Sequence, residues 1–535
     1  MKKAFSIIIL ILLFSSAASA RRERPLANDG KAGLYARSLD QVLRLRDNEV
    51  DLATAALIVS ENWSDMVYGR RYLAKLDDMA KEIRNRLDEK RIPANYRAIP
   101  EINKYLFDEL GFDALSEATD PNSLFLHTVL DTKKGYCLSL SILYLSIGER
   151  LGIDLYGVVV PGHFFVRYDD GRMKFNIETT SKGNSATDEQ YIEKFKVPLD
   201  GYDNIYLKNL SKIQTLGCFF NNLGNSYSDV GNVESAFETL KKAIEINPTL
   251  SEARANLGNI YLKKGQVNNA INEYMTALRI NPGDAKTHNN LGNAYSDNGR
   301  TSIAVSEYLE AIKLDPNFVD AYRNLAIAYC NQQRYSLAIL RLKDAIALEP
   351  ENSNVYNQFG EVYYKMEDYN EAITSYQKAL KINPNLAEAY FGIAVCYNKI
   401  NKVDEEIEAY HKVLSIQPDN YAAMFNLANL YFQQKKYPAA IELYKEALQQ
   451  KDSDSSIFYN LGAAYSNIKD YEHAAQAYLK TIEIDPKMGD AHYGLAFCYY
   501  NLKKYDLALE HIKLARDLGV KVKQEQIDAI EGNLK

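Results

Sequence analysis

Asn256-Leu-Gly-Asn-Ile-Tyr261 and Asn290-Leu-Gly-Asn-Ala-Tyr295 stand 34 residues apart, and the C-terminal three-fifths of the chain keeps that beat. Tyrosines recur in phase at Tyr227, Tyr261, Tyr295, Tyr329, Tyr363, Tyr397, Tyr431, Tyr465 and Tyr499. Three residues before each sits a small one: Gly224, Gly258, Gly292, Ala326, Gly360, Ala394, Ala428, Gly462 or Ala496. Prolines share the phase at Pro248, Pro282, Pro316, Pro350, Pro384, Pro418 and Pro486, with Asp452 in the one skipped slot. Proline is about 5% of ordinary sequence, so seven on one phase mark a structural unit. The unit reads as two antiparallel helices, A and B. Small residues stand where their backbones approach, in helix A as above and in helix B at Ala236, Ala270, Ala304, Ala338, Ala372, Ala440, Ala474 and Ala508. Proline after helix B stops it and turns the chain into the next copy. No copy buries its apolar face alone, so neighbours must stack.

This pattern resembles the tetratricopeptide repeat, in nine copies over residues 217–522 without insertions. The resemblance implies an α-solenoid. Ile527, Ile530 and Leu534 fall at helical spacing and predict a capping helix over 523–535. The sixth copy, 387–420, departs most: Glu406 replaces the helix B alanine and Val413 the next small residue. A charge at that contact needs solvent or a partner, so the array should be loosest there.

Residues 1–20 read as a cleavable signal. Lys2 and Lys3 form the positive start, residues 7–14 the apolar stretch, and Ala18-Ser19-Ala20 the cleavage site. The competing reading, a retained membrane anchor, needs about 20 apolar residues in succession, more than this run supplies. No cysteine follows Ala20 to carry a lipid, so the expectation is a periplasmic or secreted protein without stable membrane insertion. Composition fits two globular domains: 47% hydrophobic, 25% charged, 14 prolines in 535 residues. A net charge of −7 with no basic run argues against nucleic acid as the main partner. Cys330, Cys396 and Cys498 sit in repeats too far apart to bridge and read as small buried hydrophobes. There is no phosphate-binding glycine loop and no metal-ligand spacing, so neither cofactor nor metal is expected. Asn62-Trp-Ser64 matches the glycosylation pattern, a motif short enough to arise by coincidence.

Residues 21–200 lack the repeat and form a separate domain, with a helical connector over 201–216 suggested by Ile205, Leu207, Leu210 and Ile213. Helical spacing dominates to about residue 110 (Leu52, Ala55, Ala56 and Val59; Tyr72, Leu73, Leu76 and Met79). Gly135-Tyr-Cys137 then opens an apolar helix, placing Cys137 in its first turn. Strands are predicted over 156–160, 164–168 and 174–179, with Pro161-Gly-His163 between the first two. Gly-x-Cys on a helix, Gly-His at a strand start and an acid on the next strand resemble the α+β papain/transglutaminase-like cysteine fold. Asp51-Leu-Ala-Thr-Ala-Ala-Leu57, Asp120-Pro-Asn-Ser123, residues 135–144 and Pro161-Gly-His-Phe-Phe-Val-Arg167 carry the likeness, to the subgroup joined to tetratricopeptide repeats. It implies Cys137 as nucleophile, His163 as base and Glu178 as the group orienting the imidazole; the family more often has aspartate there.

The residue types suit acyl chemistry. A helix N-terminus favours a thiolate through its dipole and free N–H groups. The same N–H groups can hold an oxyanion, and His163 can take and return the proton. Asn122 and His127, upstream, are further candidates for an oxyanion donor. The alternative is a buried structural cysteine beside a histidine satisfied by backbone.

The inner face of the repeats carries an amide ladder. Asn222, Asn256, Asn290, Asn324, Asn426 and Asn460 recur in phase, with Gln358 in one copy, and Asn225, Asn259, Asn293 and Asn429 follow three residues later. Positions i and i+3 share a helix face. Amides both donate and accept, so such a ladder can pair with the backbone of an extended peptide; alternatively asparagine is simply the repeat's consensus. Arg323 is the single cation in the slot before the ladder, which does not support a carboxylate clamp. Repeats six to nine are aromatic there, with Phe391, Phe425, Phe432, Tyr459 and Tyr493, which either hold a partner's side chains or pack on neighbouring helices. The expected function is an exported interaction scaffold binding a protein or peptide. The alternative is a cysteine hydrolase or acyl transferase whose repeats recruit substrate.

Overall fold

The computed structural model describes residues 25–115, 120–197 and 206–534, and 71% of these described residues are helical. The signal-like residues 1–20, Arg21 and Ile205 of the connector lie outside the described residues. The chain divides into two compact units, residues 1–316 and 317–535.

After short helical turns, the first two long helices of the first unit are α1 (Leu52–Trp63) and α2 (Gly69–Glu89). They pack on α3 (Cys137–Leu151), which is buried along nearly its whole length. A helix wrapped in protein on all sides needs an all-round apolar surface, which Leu138, Leu140, Ile142, Leu143, Leu145 and Ile147 provide. The sheet against α3 is an antiparallel meander, β1 (Leu155–Val160), β2 (His163–Asp169) and β3 (Lys174–Ile177), in the order β1-β2-β3. Helix α4 (Asp188–Phe195) follows. The stretch after residue 205 is not the helix its apolar spacing suggests. Leu207 and Leu210 instead give their N–H groups to Val159 and Gly157 of β1, at 3.1 and 2.9 Å. An exposed strand edge carries backbone groups that need partners, and that demand outweighs a weak helical pattern. Helix begins at Lys212, with Ser211 as its cap.

Three repeats complete this unit: α5 (Lys212–Asp229) with α6 (Val233–Ile246), α7 (Ser251–Lys263) with α8 (Val267–Ile280), and α9 (Ala285–Asp297) with α10 (Thr301–Leu314). The first is fused to the domain before it: Trp63 lies against Tyr227 (ring centroids 5.3 Å apart) and Phe125 against Phe219 (5.8 Å). Small residues do what their phase implies. A Cβ on Gly258 would come within 2.6 Å of the Tyr274 ring across the helix pair.

The second unit holds six further helix pairs, from Val319–Asn331 to Tyr505–Asp517, and a terminal helix, Gln524–Gly532, that buries Ile527 and Ile530. Across all nine repeats the turn from A to B places one residue in the left-handed region: Gly231, Gly265 and Gly299, then Gln333, Glu367, Asn401, Lys435, Lys469 and Lys503. Glycine adopts that conformation freely, the others at a cost of about 1 kcal/mol each. Glu406 is buried, and its partner is Asn398, whose Nδ2 lies 3.2 and 3.3 Å from the two carboxylate oxygens. Phe391, Phe425 and Tyr459 each pack on a helix B tyrosine of their own repeat, Tyr410, Tyr444 and Tyr478, at 5.6, 6.0 and 5.8 Å between centroids. Among the described residues no helix is long and apolar enough to cross a membrane.

Candidate functional site

Cys137 is the first residue of α3. The chain reaches it through a short parallel pairing of Asp113–Ala114 with Lys134–Gly135. Tyr136 then caps the helix, its N–H donating to Ser139 Oγ at 2.9 Å. The N–H groups of Cys137 and Leu138 make no hydrogen bond among the described residues. Of the five cysteines, all free, Cys137 alone is half-buried and the other four are buried.

His163 opens β2 directly after a two-residue turn in which Gly162 takes φ +70°. That tight return sets Val160 opposite His163 and aims the ring at the start of α3. Glu178 follows β3 at once and saturates its carboxylate. Oε2 accepts from His163 Nε2 at 2.7 Å and from the Tyr191 hydroxyl at 2.8 Å. Oε1 accepts from Thr180 N and Oγ1 at 3.1 and 2.6 Å. Phe195 stacks flat on the imidazole, 4.8 Å between centroids at 4°. Thr179 ties the end of β3 to α3: its hydroxyl lies 3.0 Å from that of Ser141 and 3.5 Å from the Cys137 carbonyl.

These contacts set the charges. Burial by itself would lower the His163 pKa, but its hydrogen bonds to Cys137 and Glu178, with their charges, outweigh it and hold it up at about 9. Burial would raise Glu178, yet the His163 bond and charge, with Thr180 and Tyr191, bring it down to about 2. The pair therefore stands as imidazolium and carboxylate at neutral pH. With Nε2 engaged by Glu178, Nδ1 is the ring nitrogen left for Cys137.

Cys137 and His163 line a cleft of about 570 Å³ whose far wall is the inner face of the first three repeats. Asn222, Asn256 and Asn290 of the ladder stand there, with Asn221, Asn225 and Asn259. The amides are already partly engaged with one another. Asn256 Nδ2 donates to Asn221 Oδ1 at 2.9 Å, and Asn290 Nδ2 to Asn259 Oδ1 at 3.1 Å, an oxygen that also accepts from Tyr274 OH at 2.6 Å. In the second unit Asn460 donates to Asn429, with Tyr444 on the same oxygen, and Asn426 donates to Tyr410 OH. The recurrence of asparagine thus has a cause inside the fold: Asn259, Asn293 and Asn429 link helix A to its own helix B, and Asn256, Asn290, Asn426 and Asn460 link it to the copy before. Asn225 is the exception. Its repeat has Leu240 where the next has Tyr274, and its amide has no partner among the described residues. Asn324 lies in the second unit, as do Asn426 and Asn460.

Asn122 and His127 do not line the cleft. Asn122 is bonded by Trp63 Nε1 at 2.9 Å and itself bonds Asp120, while His127 packs between Tyr72 and Phe125. Arg323 is held by Asp320 at 2.8 Å and by Gln358 at 3.2 Å. Tyr191, Phe195 and Thr180 escaped sequence reasoning. Tyr191 and Phe195 are spaced i,i+4 on α4, which marks a helix face but not what it covers. Among the described residues no group of three His, Cys, Asp or Glu is placed to hold a metal.

Residues 70–217 match the family model of the Transglutaminase-like superfamily. Models of the tetratricopeptide repeat match five stretches between 224 and 469, and also 387–420 and 455–488. A "UPF0162 protein" of Xylella fastidiosa is 32% identical over 124 residues, 22% of this chain and 43% of that protein. Another, of Pseudomonas aeruginosa, is 28% identical over 187 residues, 34% of this chain and 68% of that protein. The chain thus spans less than half the length of the Xylella relative. Among solved structures, that of Pseudomonas aeruginosa pilF aligns over 38% of this chain and 92% of that one, with TM-score 0.35 and 20% identity. YrrB, described as a TPR protein with an unusual peptide-binding site, aligns over 38% and 94%, with TM-score 0.28 and 20% identity.

Proposed function

From a chain that is a transglutaminase-like domain followed by tetratricopeptide repeats, we propose that the domain and its first three repeats form one cysteine active site. It acts on the acyl group of a peptide or protein laid along the repeats. The observation that carries this reading is the shared cleft. The candidate nucleophile Cys137 and base His163 stand on one wall, and the ladder amides on the other.

The chemistry follows from the geometry. Cys137 Sγ, as thiolate beside the His163 imidazolium, attacks an acyl carbon and forms the C–S bond. The unbonded N–H groups of Cys137 and Leu138 receive the developing oxyanion. His163 Nδ1 gives its proton to the leaving amine or alcohol as the acyl bond breaks. Water or an amine, deprotonated by the same nitrogen, then releases the acyl group from sulfur. Glu178 keeps Nε2 protonated and the ring in place, since its four hydrogen bonds leave it little freedom.

A thiol-reactive acyl probe with site-resolved mass spectrometry tests this. Cys137 should label at neutral pH well ahead of Cys218, Cys330, Cys396 and Cys498, and His163→Ala should slow it. Labelling of Cys137 that is indifferent to His163 would remove the enzyme reading. The domain would then serve the second reading, an interaction scaffold. What favours that one is the second unit, six further repeats outside the unit that holds Cys137 and His163. For localisation we propose export with cleavage before Arg21; N-terminal sequencing that finds Met1 in a membrane pellet would reverse it.

A further inference from the structure

The cleft wall opposite Cys137 contains an acid that neither the repeat pattern nor the proposed reaction accounts for. Glu252 sits in the first turn of α7, a position where acids are common because they complement the helix dipole. Its counterparts at 34-residue multiples, Asp320, Glu388 and Asp490, are exposed to solvent, as expected of a surface charge. Glu252 differs. The residue is half-buried and lines the cleft, and the buried Tyr206 sits on its carboxyl end. The Tyr206 hydroxyl donates to one oxygen, Ser251 Oγ lies 3.2 Å from the other, and Asn281 Nδ2 donates to Tyr206 at 3.3 Å. Burial raises the Glu252 carboxyl above its ordinary range, and the nearby Asp284 charge adds to the rise.

The charges around it do not neutralise it. Asp284 also borders the cleft, spending its carboxylate on the cap of α9, and Asp315 is paired with Lys196 at 2.9 Å. Lys286 at the border is exposed and makes no ion pair among the described residues. Glu252 itself has no cationic partner among them. A half-buried carboxylate fixed by neutral donors without a counter-charge is unfavourable alone, and it favours a ligand that supplies the missing cation. The rest of the lining is amide and apolar apart from Cys137, His163 and Thr287, and the one cation among these, His163, is already engaged by Glu178.

We propose that Glu252, positioned by Tyr206, is a specificity residue that binds the ammonium or guanidinium of a basic side chain on the peptide held in this cleft. This rests on the cleft being where a peptide lies against Cys137, and it goes beyond that in naming the peptide's chemistry. Glu252 touches the substrate away from the reacting atoms; it takes no proton in the reaction.

The test reads occupancy and not turnover. Iodoacetamide labelling of Cys137 in the full chain is followed with and without three pentapeptides that differ only at the central residue: lysine, arginine or norleucine. The readout is the ratio of protected to unprotected rate, which cancels any change in the intrinsic reactivity of the thiol. The lysine and arginine peptides should reach half-protection at about tenfold lower concentration than the norleucine peptide, as expected for one charge-assisted hydrogen bond. Glu252→Gln should erase that difference. Equal protection by norleucine, no protection by any peptide, or a preference that survives Glu252→Gln would each overturn the proposal. The wild-type comparison decides even if the variant folds poorly. A labelling rate unaffected by His163→Ala would instead count against the catalytic reading and leave the cation preference standing.

Discussion

Glu178→Gln removes one charge and leaves the size and most of the hydrogen bonding of the side chain, so its consequence can be worked from the site. The His163 pKa stands at about 9 against an ordinary 6.5, a preference for the imidazolium of about 3 kcal/mol. Burial opposes that rise, and Cys137 and Glu178 share in producing it. With the carboxylate gone, burial is opposed by Cys137 alone, and the midpoint should fall by at least about one pH unit. Histidine-labelled protein allows the titration to be followed by NMR. There are seven histidines, and the His163 resonance is assigned by its disappearance in His163→Ala. Iodoacetamide labelling of Cys137 at pH 7 should slow in Glu178→Gln, and slow further in His163→Ala, by about tenfold or more. A midpoint within a few tenths of the wild-type value would refute the reasoning, because it would mean that the 2.7 Å contact carries no charge coupling. The same pair sets a stability window. His163, raised from 6.5 to about 9, contributes fully below 6.5 and loses its contribution as pH climbs through 9. Glu178, lowered from 4.5 to about 2, contributes above 4.5 and loses its share as pH falls toward 2. Both are fully expressed between pH 4.5 and 6.5, and the pairing should stabilise most there.

Two further predictions concern the repeats. Asn259→Ala strips the shared acceptor of Tyr274 and Asn290 and should cost about 1–3 kcal/mol in denaturant unfolding. Asn225→Ala, with no bond to lose, should be close to neutral; equal costs would refute the ladder's structural role. Burial raises the Glu406 pKa with only Asn398 opposing it, so this acid costs stability as pH rises above 4.5. Hydrogen exchange at neutral pH should be fastest within the second unit around 387–420, and Glu406→Gln should slow it there; uniform protection along that unit would count against the argument.

Much of this protein is legible in its sequence because repeats multiply the signal. A tyrosine or a glycine alone says little, but nine on one phase identify a helix pair, and the collision awaiting a Cβ on Gly258 is the reason the phase is kept. The left-handed turn between A and B is only half legible. Gly231, Gly265 and Gly299 announce it, whereas Gln333, Glu367, Asn401, Lys435, Lys469 and Lys503 accept the same conformation because stacking outweighs about 1 kcal/mol of strain. Cys137, His163 and Glu178 stood out by order and family likeness. Their order along the chain carries no distance, though, and it was the tight return at Gly162 and the antiparallel meander that brought His163 to Glu178 and to the first turn of α3.

Local patterns, repeated at short range, specify helices, their small contact residues and the stacking of like units, since those depend on neighbours a few residues away. The cleft depends on residues more than a hundred positions apart. Leu207 and Leu210 satisfy the edge of β1, Trp63 meets Tyr227, and Tyr206 is thereby laid over Glu252. None of these contacts has a periodicity, so none could be read ahead of the fold. They arise because unpaired strand edges and exposed aromatic surface must be covered, and that demand alone turned the inner face of three repeats into a wall of the cleft that holds Cys137 and His163.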